Sequence, residues 1–186
     1  MSDTRGEALL PIARAAICHA LEVSFVADES APWLAEPGAC FVTLTQNNEL
    51  RGCIGSLQAH RSLLNDVKAN AVAAALRDPR FPPLGEKELA ITDIEVSLLS
   101  PTKPMSFTDE ADALSQLRPG IDGVIFEFGR HRSTFLPQVW KQLPEPGIFM
   151  SHLKQKAGLP GSFWDDDIQL SRYTVTKWRE QDYKKA

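Results

Sequence analysis

The chain contains no apolar run near the roughly 18 residues that a membrane-crossing helix needs, so no transmembrane segment is expected. Pro11, Arg14 and His19 interrupt the early apolar positions, and no signal peptide is read there. Only three cysteines are present, Cys18, Cys40 and Cys53. An odd number at wide spacing argues against a disulfide framework and for reduced thiols in a cytoplasmic protein. Positive charge is scarce: 20 Lys and Arg face 24 Asp and Glu, leaving a net charge of -4 and a pI near 5.6. With no basic-aromatic stripe either, nucleic-acid binding is disfavoured, and Lys184-Lys185 reads as a solvated tail. Cofactor signatures are missing as well. There is no P-loop, no dinucleotide fingerprint, no paired Cys-x-x-Cys and no His-Glu-x-x-His zinc motif.

What is present is 186 residues, 43% hydrophobic and 24% charged, the profile of a soluble globular protein. That length suits one ordinary domain or two small lobes sharing a core. It buries about 70% of the unfolded surface, so stability needs no disulfide or metal. No repeat, low-complexity tract or linker divides the chain.

The elements follow from periodicity and punctuation. Thr4 and Glu7 have capping-box spacing, and Leu9, Ala13, Ala16, Ile17 and Ala20 recur at helical intervals, predicting a helix over about 7–25. Adjacent Cys18 and His19 diverge on it and make a poor metal pair. A hairpin is expected from Ala39–Thr45, an Asn47-Asn48 turn and a return strand from Leu50. Ser62 caps a helix through Arg77, whose alanines imply close packing on a flat partner, and Asp78-Pro79 stops it. Ile94, Val96 and Leu98 alternate with Glu95 and Ser97 as a half-buried strand. Asp109–Leu117 reads as a short helix, Val124–Phe128 and Ser133–Leu136 as a hairpin with a basic tip at Gly129–Arg132. Helices are expected over 138–143 and 148–157, the second stopped by Gly158, and a single final strand from Leu170 to Trp178. The Asp165–Asp167 run lacks calcium-loop spacing and reads as a loop.

The segment Leu50–Leu57 (Leu-Arg-Gly-Cys-Ile-Gly-Ser-Leu) draws the chemistry together. In an extended strand Arg51 and Cys53 share a face, and a guanidinium beside a thiol favours the reactive thiolate. Gly52 and Gly55 permit close approach of a strand or a ligand. One reading makes Cys53 a nucleophile, with Arg51 holding the thiolate or an anionic group, His60 moving protons and amides around Gly52–Gly55 receiving an oxyanion. The other makes the segment a binding module for a small anion or peptide, with Arg80 assisting from the rigid Asp78–Leu84 loop. Glu95 and Ser97 then polarise a bound group, or simply face solvent from their strand. A buried structural cysteine between glycines accounts for the same letters.

Together these stretches resemble the AMMECR family. The resemblance is carried by Phe41–Leu44, Leu50–Leu57, Asp78–Leu84, Ile94–Ser97, Gly120–Val124, Thr134–Trp140 and Lys156–Pro160, with Trp164 behind. It covers most of the chain, and Arg-Gly-Cys-Ile-Gly is its most specific part. The Thr-Phe-Leu-Pro-Gln-Val-Trp run looks most like the bacterial branch called AmmeMemoRadiSam system protein A. The resemblance implies one AMMECR-type domain over 1–186. It is expected to be α+β, a two-lobed compact unit of unequal lobes with mainly antiparallel sheet, helices packed on it and a cleft between the lobes. It also implies a pathway shared with a Memo-like protein and a radical S-adenosylmethionine enzyme, without implying a reaction, a cofactor or a metal.

Overall fold

The computed structural model describes residues 4–184. It is α+β, with two four-stranded, mainly antiparallel sheets and helices packed on them. The chain forms two compact units: residues up to Leu99 with those from Thr176 on, and Ser100–Val175. Among the described residues, no helix is long and apolar enough to cross a membrane.

The first unit begins with α1 (Arg5–Ala20), which buries Leu9, Ile12, Ala13, Ala16 and Ile17 along one face. It runs through Pro11, because packing of that face outweighs the backbone hydrogen bond proline removes. Thr4 occupies the N-cap position without a side-chain capping bond, so the expected capping box does not form. The helix also ends earlier than the periodicity predicts. Glu22 takes a left-handed conformation (φ 59°) and Val23 N–H donates back to the Cys18 carbonyl at 2.8 Å. That is a glycine-type stop made without glycine.

β1 (Cys40–Gln46) and β2 (Glu49–Gly55) make the expected hairpin, with Asn47 and Asn48 both at positive φ in the two-residue turn. α2 (Leu63–Leu76) starts at Ser62, whose side chain accepts from Asn65 N–H. Its alanines lie flat on the sheet, as their spacing predicts. A Cβ on Gly52 would collide with the carbonyl oxygen of Ala74, which is why the strand carries glycine there. β3 (Thr92–Leu99) completes the inner strands, and its partner at the edge comes from the far end of the chain: β8 (Val175–Arg179), in the order β2-β1-β3-β8. Trp178 of β8 joins the core of Val42, Leu44, Val67, Ala71, Ile94 and Val96. The four-residue α5 (Glu180–Tyr183) follows, and Glu180 receives Arg14 Nη2 at 2.5 Å and Ile94 N–H at 3.0 Å.

The second unit has the strand order β4-β7-β5-β6, from β4 (Lys103–Pro104), β5 (Gly123–Phe128), β6 (His131–Phe135) and β7 (Gln169–Tyr173). α3 (Glu110–Gln116), capped by Asp109, and α4 (Pro146–Lys156) are its helices. Trp140 stacks on Phe149 with centroids 3.7 Å apart, and Phe126, Met150 and Leu153 are fully buried around them. Gly158 holds φ +87° after α4, as expected of a helix stop. Three details depart from the sequence reading. Residues 137–141 make a tight 3-10 turn rather than an α-helix. The tip of the second hairpin is Gly129-Arg130 alone, His131 and Arg132 being already in β6. The single strand expected from Leu170 to Trp178 is two strands, divided at Thr174 between the two sheets.

Candidate functional site

β2 is an edge strand, and its pairing with β1 sets the face on which each side chain lies. Leu44 faces Gly52 but Thr45 faces Leu50, so Arg51 is an extra, bulged residue. Beyond the bulge Cys53 stands opposite Thr43, which in turn stands opposite Glu95 on β3. The adjoining row is Gly55, Phe41 and Ser97. These rows alternate with Val42, Leu44, Ile94 and Val96, which are buried in the core, so they lie on the other face of the sheet.

Cys53 is half-buried, whereas Cys18 and Cys40 are buried, and all three are free thiols. Burial pushes the Cys40 thiol far above its ordinary range and raises Cys18 as well, so neither presents a reactive sulfur. Cys40 sits in a closed network on the fully buried Asp66, which accepts from Cys40 N–H at 2.9 Å, Ser56 Oγ at 2.6 Å and Arg61 Nε at 2.7 Å. At Cys53 the sulfur instead receives a hydrogen bond from Thr43 Oγ1 at 3.2 Å.

The Asp78–Leu84 loop, entered just past the end of α2, covers the edge of β2 at this point. Asp78 Oδ2 accepts the Cys53 N–H at 2.9 Å, and Arg80 Nη2 donates to the Cys53 carbonyl at 3.4 Å. Arg80 is clamped on Asp78 through Nε at 3.0 Å and Nη2 at 2.7 Å, yet its side chain stays 54% exposed. Hydrogen bonds from Arg80, against the cost of burial, hold the Asp78 carboxyl well below the usual carboxylate range. Of the amides around Gly52–Gly55 expected to receive an oxyanion, that of Cys53 is therefore engaged by Asp78.

Arg51 does not reach the thiol. Its Nε and Nη2 bind Glu88 at 3.1 and 3.3 Å, and its guanidinium carbon lies 6.0 Å from the centre of the Phe81 ring. Nη1 is buried without a hydrogen-bond acceptor among the described residues. Glu88 also accepts from Gly85 N–H at 2.8 Å and Gln46 Nε2 at 3.1 Å. The Gly85 amide, then Arg51 and Gln46, lower its carboxyl to about 2.

The remaining expected site residues are distributed as follows. Glu95 takes its place in the row with Cys53 and Thr43, but it is held by Arg179 Nε at 2.6 Å and Lys177 at 3.6 Å. Ser97 is buried one row away. His60 is exposed in the turn beyond β2, its Nδ1 2.9 Å from the Gln58 carbonyl, and it makes no hydrogen bond to Cys53, Arg51 or Arg80. Gly55 lies beneath the Phe41 ring, which a Cβ there would strike. No group of three or more His, Cys, Asp or Glu among the described residues is arranged to hold a metal ion. Thr43, Asp78, Phe81 and Glu88 were not singled out as site residues from sequence. In the sequence Asp78 stands as the helix stop that opens the Asp78–Leu84 loop, and its pairing with Arg80 two residues on appears only in the structure.

The AMMECR1 family model matches residues 10–178. A protein of Methanothermobacter thermautotrophicus is 36% identical over 187 residues, covering 97% of this chain and 96% of its own length. One from Methanococcus aeolicus is 36% identical over 172 residues, covering 88% and 84%. Among solved structures, the crystal structure of an uncharacterized protein from Pyrococcus horikoshii superposes with a TM-score of 0.79 at 31% identity, covering 96% of this chain and 93% of that one.

Proposed function

This chain belongs to the AMMECR1 family, and from that premise we propose that it is a ligand-binding protein that holds the anionic group of a small molecule or peptide at Arg80, beside Cys53. The observation that carries this reading is the state of the two arginines. Arg51 is committed to Glu88 and is largely buried, at 11% exposure. Arg80 is half exposed, oriented by a buried carboxylate, and adjacent to the backbone of the half-buried cysteine. A guanidinium gripped along its Nε–Nη2 edge loses little freedom when a carboxylate or phosphate arrives, which favours binding.

The resemblance to the AmmeMemoRadiSam branch supports an adaptor role, presenting that ligand to a Memo-like protein and a radical S-adenosylmethionine enzyme. Three unpaired cysteines support a cytoplasmic setting. A second reading, in which Cys53 is itself a nucleophile, draws on one specific feature: the Thr43 hydroxyl donates to its sulfur and orients it.

The binding reading is tested by nuclear magnetic resonance titration with inorganic phosphate and short dicarboxylates. Amide signals of Cys53, Arg80 and Phe81 are expected to move together, and Arg80→Gln is expected to weaken binding about tenfold, the worth of a charge-assisted hydrogen bond. Equal titration by wild type and Arg80→Gln would remove the proposal. Co-purification with the two partner proteins tests the adaptor role separately.

A further inference from the structure

We infer that Asp78 is the positioning residue of this site: one buried carboxylate fixes both the backbone at the thiol and the cation beside it, so that Arg80 acts as an anion receptor only while Asp78 holds it. The inference rests on the reading of Arg80 as the group that recognises the anion. Asp78 is 4% exposed, and its two oxygens take four donors: Cys53 N–H, Arg80 N–H at 3.1 Å, and Arg80 Nε and Nη2. An ionised carboxylate offers about four acceptor positions, so Asp78 has none left for a ligand. Its role is exercised through its neighbours. Pro79 stiffens the one residue between it and Arg80, and Pro82-Pro83 restrain the loop beyond. On Arg80, in turn, Nε and Nη2 carry the bonds to Asp78 and to the Cys53 carbonyl, and the side chain stays 54% exposed.

This arrangement makes an unusual prediction of sign. If Asp78 acted only through its charge, neutralising it would strengthen attraction of an anion to Arg80. If it acts by position, neutralising it weakens that attraction. Asp78→Asn separates the two. An asparagine oxygen in the place of Oδ2 still accepts the Cys53 N–H and Arg80 Nη2, but its amide hydrogens then meet Arg80 N–H and Nε, so the two-oxygen fork on the guanidinium is broken.

The experiment compares Cys53 alkylation by iodoacetate, which is anionic, with alkylation by iodoacetamide, which is neutral, each read at the Cys53 peptide by mass spectrometry. The ratio of the two rates cancels changes in thiol reactivity or access that affect both reagents alike. In wild type the ratio is expected to exceed that of glutathione by about three- to fivefold, the scale of one exposed charge pair, and Arg80→Gln is expected to abolish the excess. Asp78→Asn is expected to fall to the Arg80→Gln level; a ratio at or above wild type overturns the inference while leaving Arg80 as the receptor. Absence of the excess in wild type overturns the reading of Arg80 and the inference with it. Should Asp78→Asn fail to fold, Arg80→Lys decides. Lysine keeps the charge but cannot span both Asp78 oxygens in a planar fork, so the ratio is expected to fall, and a retained ratio overturns the positioning role.

Discussion

Arg51 and Cys53 sit two residues apart on one strand, and the natural expectation is that the guanidinium serves the thiol. Glu88 prevents this. It meets Arg51 through two hydrogen bonds while the Gly85 amide and Gln46 hold it from other sides. The pair ties the bulge of β2 to the turn over Glu86–Ile91. Its chemistry has a pH signature. Glu88 ionises near 2 in the folded protein against an ordinary 4.5, so the fold favours its charged form. The resulting stability is complete above about pH 4.5 and is lost as pH falls toward 2. Asp78, also lowered, adds in the same direction. Glu88→Gln is expected to be less stable at pH 7 by about 1–3 kcal/mol, since it weakens the pairing of a largely buried guanidinium. Its urea midpoint is also expected to fall less than that of wild type between pH 5 and pH 2. Parallel acid limbs for the two proteins would show that the ion pair carries none of the acid sensitivity.

At the scale of elements, one bulge decides where the cysteine faces. Counting back from the Asn47-Asn48 turn in an uninterrupted hairpin would set Cys53 opposite Val42, on the core side. The extra residue at Arg51 slips the register by one and turns Cys53 to Thr43. The hairpin, its turn and the capped helix after Ser62 were all legible, because alternation, paired asparagines and a capping serine are local signals. The bulge was not, since nothing in Leu-Arg-Gly-Cys distinguishes a slipped strand from a regular one. The same holds for the left-handed stop at Glu22, which lacks glycine, and for Thr174, where a continuous strand-like pattern is divided by tertiary pairing. Candidate residues were found where motif and strand coincided. Their partners were missed because Thr43 and Glu88 are brought in only by register and by a loop. The bulge also gives the nucleophile reading its test. Thr43→Val keeps the shape of the strand but removes the donor to the sulfur, and Cys53 is expected to react with iodoacetamide about three- to tenfold more slowly at pH 8. An unchanged rate would leave the hydroxyl a packing role and dispose of the nucleophile reading.

At the scale of the whole molecule, the two units are held together in sequence very differently. The first needs both ends of the chain: Trp178 enters its core, and Glu180 pairs with Arg14 and with the Ile94 amide. The second, Ser100–Val175, is continuous in sequence. Its own ends are fastened to each other, Ser100 N–H donating to the Thr174 carbonyl at 2.8 Å and Thr174 N–H to Ser100 Oγ at 2.9 Å. Inside it, the stacked Trp140 and Phe149 pack with Phe126, Met150 and Leu153, and the buried Lys154 ties α4 to Glu110 of α3 at 2.7 Å and to the Phe163 carbonyl at 2.8 Å. A segment of this size buries enough surface for marginal but independent stability. Residues 100–175 expressed alone are therefore expected to unfold in one cooperative urea transition, followed by the fluorescence of Trp140 and Trp164. The complementary truncation after Val175 removes a core tryptophan and leaves the Arg14 guanidinium without its carboxylate, so the remaining chain is expected to lose the cooperative transition of the first unit and keep that of the second. A gradual, non-cooperative loss of fluorescence from the isolated 100–175 segment would show that its stability is borrowed from the rest of the chain, and that the fastening of Ser100 to Thr174 does not make it a folding unit.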